Sequence, residues 1–366
     1  MRFLINTLTH FEEPPRARHQ VAYALSRKFK VVFIAANKPG LPGLKNLSVH
    51  ENLTVVVPYF PIDNRIRYRL PLVNEFYQHW LFRQLARQYK DYEVINFDFT
   101  ATKIYQYFSR VIYYCNDSFS AISKHINPAF IAGYHQRCES EVASKAMFCV
   151  AVSEKLKENL IPHNPDSFEI PLGSPDIDEY NLPINFAPSR KLPIEVGFVG
   201  FIKSLNLSHK ILNLLLADDR LRITLIGPVE DNFLEYIDQK DKLILKGSLT
   251  GRRLYEEINK FDVTIAPYSA RLINDVNSGV GTGSKIYHYF SLGKPVVISY
   301  MEGLRKLDLP EGVIYIAQKE EDFPSLIFRA VEEDSEELIR QRIRFARNNT
   351  WEKRMEALTD LYQRFS

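Results

Sequence analysis

The chain has 366 residues, enough for two domains with separate cores, and its 45% hydrophobic and 25% charged residues are those of a globular protein rather than a disordered or fibrous one. Its 47 Lys and Arg against 44 Asp and Glu leave a net charge of +3, too small a basic excess to expect nucleic acid as a partner. Three cysteines, Cys115, Cys138 and Cys149, form no CxxC pair and leave one thiol over, which suits a reducing compartment. The opening MRFLINTLTHFEEPPR has too short an apolar run for a signal peptide, and no stretch approaches the ~20 apolar residues that span a bilayer. The expected location is cytoplasmic.

Short apolar runs alternate with longer amphipathic segments, the mark of βαβ units and a parallel sheet. In the first half, strands are predicted at Phe3–Thr7, Lys30–Ala35, Leu53–Pro58, Tyr92–Phe97, Arg110–Cys115, Phe148–Val152 and Phe168–Pro171. Helices are predicted between them at Arg16–Lys28, Leu72–Tyr89, Thr102–Phe108, Pro128–Ala146 and Glu154–Leu160. Residues 173–193 hold four prolines and little periodicity, so they read as a linker.

A second alternation follows. It predicts strands at Ile194–Val199, Arg222–Ile226, Leu243–Lys246, Asp262–Pro267 and Pro295–Ser299. The intervening helices are Ser208–Leu216, Asp231–Gln239, Arg252–Lys260 and Ser284–Leu292, and a helical, charged tail runs from Ser335 to Phe365. The expectation is an α/β protein of two doubly wound domains, 1–175 and 192–345, followed by a helical tail that includes 350–366. Such sheets bind ligands outside the carboxyl ends of their strands, which here implies a cleft between the halves.

The stretch with the clearest chemistry is Gly279–Ser299. A glycine-broken loop, Gly279–Gly283, delivers Lys285 into the first turn of a helix that stops at Gly293, and a Pro-led strand follows. Backbone N–H groups at Gly281, Gly283 and Ser284, with the lysine charge, suit a phosphate or diphosphate. An ordinary loop with a surface lysine is the bland alternative.

The ordered set VGFVGFI (196–202), TLIGP (224–228), LKGSL (245–249), FDVTIAPYS (261–269) and SKIYHYFSLGKPVV (284–297) resembles the donor domain of GT-B glycosyltransferases of the bacterial polysaccharide and teichuronic-acid type. The first half is similar more weakly, in RARHQVAYALSRKFKVVFIA (16–35), VIYYCNDSF (111–119), AVSEKL (151–156) and IPLGSPDIDEY (170–180), and Trp351–Arg354 resembles the start of the closing helix. The resemblance implies two Rossmann-like domains, a nucleotide-sugar donor, a polysaccharide or lipid-linked acceptor, no cofactor and no metal. It implies that Lys285 meets the donor diphosphate, helped by Gly283 and Ser284. By the same resemblance Gly200 and Lys203 would also face the diphosphate, with a solvated loop lysine the equal alternative for Lys203, Gly247 and Ser248 would lie near the base, and Tyr268 would stand at a strand end facing the cleft.

Two departures stand out. Many retaining members carry a pair of glutamates where this chain has Val280 and His288, so His288 could bond the ribose or a phosphate instead, and retaining or inverting chemistry stays open. The first loop lacks a Gly-Gly pair and reads Thr9-His10-Phe11-Glu12-Glu13-Pro14-Pro15-Arg16. An inverting reaction needs a base at the acceptor hydroxyl. Asp117, just past a strand, is the first candidate and His19 the second, with Arg16, Asp98 and Glu12 behind them; a helix cap is the alternative role for Asp117. Residues 61–90 carry six Lys or Arg against two Asp or Glu, with Phe76, Tyr77, Trp80, Leu81 and Phe82 among them. That helix suits an anionic membrane surface or, equally, the core of the first domain. A sugar-nucleotide 2-epimerase of the same fold and an inactive nucleotide-sugar-binding subunit are the rival functions; without a GxGxxG opening the first helix, a dehydrogenase is not.

Overall fold

Both alternations form sheets whose central strands are buried on both faces, which is why they read as unbroken apolar runs rather than as alternating patterns. The computed structural model describes residues 1–13, 15–188, 191–269, 285–307 and 309–365. The chain divides into two compact units, Met1–Leu172 with Arg354–Ser366, and Gly173–Lys353.

The first unit holds strands β1 (Arg2–Asn6), β2 (Lys30–Ile34), β3 (Lys38–Pro39), β4 (Gly43–His50), β5 (Leu53–Phe60), β6 (Glu93–Asn96), β7 (Val111–Cys115), β8 (Cys149–Ala151) and β9 (Ser167–Glu169). Their order is β3-β5-β2-β1-β6-β7-β8-β9. All pairs are parallel except β4, which lies antiparallel on β5. β1 sits between β2 and β6, with Ile5 opposite Phe33 on one side and Ile95 on the other. The chain winds outward from β1 in one direction, then crosses back to β6 and winds the other way. Across that reversal Asn6 Nδ2 donates to Asn96 Oδ1 at 2.9 Å, and Asn96 in turn holds the backbone of Asp98. The loop that carries Phe97 and Phe99 is thereby pinned to β1. Helix Trp351–Phe365 completes this unit from Arg354 onward. Lys28 pairs with Glu356 at 2.8 Å, Tyr362 bonds to Glu93, and Phe365 packs on Phe148.

The second unit holds β10 (Ile194–Val199), β11 (Leu221–Ile226), β12 (Ile244–Leu245), β13 (Val263–Ala266), β14 (Val296–Ser299) and β15 (Ile314–Ala317), all parallel, in the order β12-β11-β10-β13-β14-β15. Its reversal lies between β10 and β13. Arg342, fully buried on helix Glu336–Asn348, donates to the carbonyls of Gly293, Gly312 and Val313 and pairs with Asp334 at 2.8 Å. One side chain thus ties that helix to the ends of three segments.

The structure corrects several expectations. The predicted helices Asp231–Gln239 and Thr102–Phe108 are only short 3₁₀ turns, Phe233–Tyr236 and Ile104–Gln106. The helical tail consists of Glu336–Asn348 and Trp351–Phe365, the second starting at the expected Trp351, with Thr350 between them paired to Ser174. That pairing also shows that the Pro-rich segment is no free linker at its start. Gly173 presses on Trp351, where a Cβ would meet Trp351 Cα at 2.8 Å, and Ile177 is buried in the second unit's core. Strand β4 escaped prediction because it is a polar edge, mostly exposed, whose role is to cover β5 rather than to bury itself.

Candidate functional site

In the second unit, three neighbouring strands end in glycine turns. Past β10 the chain turns at Gly200 (φ +150°), past β11 at Gly227 (φ +144°) and past β12 at Gly247 (φ +65°), conformations that favour glycine. The turns are linked in a row. Gly227 N donates to Gly247 O at 2.8 Å, and a Cβ on Gly227 would stand 1.9 Å from the Gly200 carbonyl oxygen. Lys285, first residue of helix Lys285–Ser291, reaches the same point. A Cβ on Gly200 would lie 2.6 Å from Lys285 Cε and 3.0 Å from its Nζ. The ammonium stands 5.2 Å from the ring centre of Phe198 and 5.3 Å from that of Tyr268, and donates to Tyr268 Oη at 3.4 Å. Among the described residues no carboxylate pairs with it. A positive charge held on aromatic faces at the β10/β13 reversal can attract an anion.

One turn along the helix, His288 Nδ1 lies 2.7 Å from Tyr255 Oη, with the two rings stacked. Burial, and then Lys285, push its imidazole down to about 4, so it is neutral at physiological pH. Lys203 lies three residues past Gly200, with its ammonium over the exposed ring of Phe201 at 4.1 Å. Ser248, beside Gly247, is exposed. Gly283 and Ser284, with Val280, lie outside the described residues. The chain does contain one Asp-x-Asp triplet, Asp176-Ile177-Asp178, in which Asp178 pairs with Arg347 at 3.3 Å. Among the described residues no group of three or more His, Cys, Asp or Glu could hold a metal ion.

In the first unit, a cavity of about 470 Å³ opens beside the β1/β6 reversal. The loop after β1 lines it with Thr9 and His10, the loop after β6 with Phe97 and Phe99, and three helices with Arg18, Asn64 and Phe119. Arg18 is 7% exposed; its Nη1 donates to Thr9 Oγ1, its guanidinium lies over Phe119 at 5.4 Å, and its Nε has no partner. Burial first, and then Arg16, lower its pKa to about 10, against the pull of Asp117, Asp98 and Glu13.

Asp117 stands two residues past β7 and acts electrostatically on Arg18 without lining the cavity. Its Oδ1 accepts the Ser118 N–H at 2.9 Å. Burial raises its pKa, and the Ser118 N–H, Arg18 and Arg16 counter that in part. His19 is buried with both ring nitrogens engaged: Nδ1 accepts the Arg16 N–H at 3.1 Å and Nε2 faces His10 O at 3.3 Å. In this arrangement it closes the first turn of helix Ala17–Ser26, and burial lowers its pKa. Asp98 Oδ1 accepts from the amide and hydroxyl of Thr100. Glu12 pairs with Lys38 and Arg16 with Glu13.

Sequence reasoning singled out Arg16 and His19 but not Arg18. A signal was there: Arg18 shares a helix face with Val21, Ala22 and Leu25, a charge on an otherwise apolar stripe. The basic helix Pro71–Tyr89 buries Tyr77, Leu81, Phe82 and Leu85 in the first unit's core, yet leaves Leu72 and Phe76 exposed.

This chain has the GT-B fold. It is similar over 99% of its length, and 98% of the other chain, to sucrose-phosphate synthase from Thermosynechococcus elongatus, with a TM-score of 0.74 and 12% identity. It is similar to Anabaena HepE solved with UDP and glucose (TM-score 0.69, 12% identity, 98% and 99% coverage). A third likeness is to WaaG, a glycosyltransferase involved in lipopolysaccharide biosynthesis (TM-score 0.67, 11% identity, 98% and 99% coverage). No protein-family model and no curated protein sequence matches the chain.

Proposed function

We propose that this protein is a glycosyltransferase that takes a sugar from a nucleoside-diphosphate donor held by the second unit. The observation that carries the reading is Lys285, a cation without a carboxylate partner among the described residues, placed against the Gly200 turn where the sheet reverses. The leaving group of glycosyl transfer is a nucleoside diphosphate, whose growing negative charge a preorganised lysine stabilises without a divalent ion. Structures of similar fold were solved with UDP and with UDP-glucose, which supports the choice of ligand. The acceptor belongs to the first unit, where Asp117 is the group suited to take the acceptor proton, and a surface polysaccharide or lipid-linked saccharide is the class we favour.

Lys285→Ala should weaken UDP, GDP or dTDP by about 1.5–3 kcal/mol, or roughly ten- to a hundredfold in Kd, in calorimetry. Unchanged affinity in a folded variant would sink the assignment. A lipid-linked acceptor would bring the protein to a membrane surface. In support, Ile66, Leu70, Leu72 and Phe76 are exposed apolar residues in a segment that also carries the exposed Arg65. Co-sedimentation with anionic liposomes that weakens as salt rises would bear this out, whereas equal recovery with neutral vesicles would remove it. Among the described residues no helix is long and apolar enough to cross a membrane.

A further inference from the structure

We infer that the first-unit cavity receives an anionic sugar, one bearing a carboxylate or a phosphate, whose charge is met by Arg18. The inference deepens the proposed glycosyl transfer and rests on it for calling that sugar the acceptor.

Three buried arginines among the described residues make the contrast. Arg67 is 1% exposed, donates from Nε to Asn37 and from Nη1 to Asn74, and lies 3.9 Å over the Tyr77 ring. Arg342 fills its donors with three carbonyls and Asp334. Arg18, also buried, makes a single hydrogen bond among the described residues, to Thr9, and its Nε has no partner there. A guanidinium has five N–H donors, and a buried charge is costly until its donors are filled. The carboxylates nearest in effect, Asp117 and Asp98, spend their Oδ1 atoms on Ser118 and Thr100, and neither forms an ion pair with Arg18.

The cavity that Arg18 faces shares this imbalance. Arg16, Arg18 and Arg65 line it against one carboxylate, Glu13, so the lining carries two surplus positive charges. Glu13 is itself held by Arg16 at 3.0 Å and by the His10 N–H at 3.2 Å. The remaining lining fits the neutral part of a sugar. Asn64 Oδ1 and His10 Nδ1 are buried without partners, ready for hydroxyls. Phe99 and Phe119, stacked at 5.1 Å and 6° between planes, offer an apolar surface for ring C–H groups. A neutral sugar would leave Arg18 unpaired; an apolar ligand would leave all three polar groups so. An anionic sugar satisfies the set.

The test is calorimetry on the full chain without nucleotide, using glucuronate, glucose 6-phosphate and, as the neutral control, glucose. Either anion should bind about tenfold or more tighter than glucose. Arg18→Lys, which keeps the charge but loses the fork, should weaken the anions by about tenfold. Arg65→Gln, at an exposed position, should weaken them severalfold and serves if the Arg18 variant does not fold. Lys285→Ala should leave anion binding within about twofold. Equal affinity for charged and neutral sugars overturns the inference, as does unchanged anion affinity in the Arg65 and Arg18 variants. Loss of binding in Lys285→Ala also overturns it, since the anion would then belong to the nucleotide site. Anion binding that survives while no nucleotide sugar binds would refute the glycosyltransferase reading and leave the cavity assignment standing.

Discussion

His288 allows a quantitative test of the geometry around Lys285 and Tyr255. Its imidazole titrates near 4 in the folded chain instead of near 6.5, because burial beside Tyr255 and the Lys285 charge disfavour the cation. The sign follows from where each state binds its proton. Above pH 6.5 both states are neutral and the shift has no effect; as pH falls from 6.5 toward 4 the unfolded chain takes a proton that the folded chain refuses. Stability is therefore full above about 6.5 and is lost on acidification. With a shift of this size the loss is about 2 kcal/mol at pH 5 and about 3 kcal/mol at pH 4. Other histidines with lowered pKa values, His19, His135 and His209, push the same way, so the informative quantity is a difference between proteins. His288→Gln removes the titration and keeps a polar side chain facing Tyr255. Urea unfolding followed by tryptophan fluorescence at pH 7.5 and 5.0 should show the wild type losing about 2 kcal/mol more than the variant. Trp351 is buried in the second unit and reports on it. Parallel losses in the two proteins would mean that His288 titrates normally and that the packing against Tyr255 and Lys285 is wrong.

Asp117→Asn keeps shape and the Ser118 hydrogen bond but cannot accept a proton. Turnover should fall by ~10²–10⁴ while nucleotide affinity stays within about twofold. Because burial raises the Asp117 pKa, the acid limb of the wild-type kcat/KM profile should lie above the ordinary carboxylate range; wild-type turnover in the variant would return the residue to a capping role. Arg342→Leu strands Asp334 and three carbonyls in the second unit and should cost about 3–5 kcal/mol in chemical unfolding, with little relief from Arg342→Lys, which cannot span all four acceptors. A loss under 1 kcal/mol would show that the network is replaceable by water.

The strand-helix alternation, and with it two doubly wound units, was legible in the residues, because strands such as β1, β2 and β14 are buried on both faces and must be largely apolar. So was the placement of Gly200 and Lys285, since a turn needing positive φ and a cation at a helix start leave marks on the chain itself. What stayed hidden depends on partners distant in sequence. The amphipathic stretch at Asp231–Gln239 carries a helix-like pattern, yet only Phe233–Tyr236 turns, because Phe233 and Ile237 serve the β-sheet core from a loop. Nothing local tells Thr350 to pair with Ser174. Arg18 and His19 are adjacent in sequence, but His19 closes its own helix turn while Arg18 is left with an open donor toward a cavity. That difference arises from which groups the loops after β1 and β6 bring within reach, and it exists only once the chain has folded.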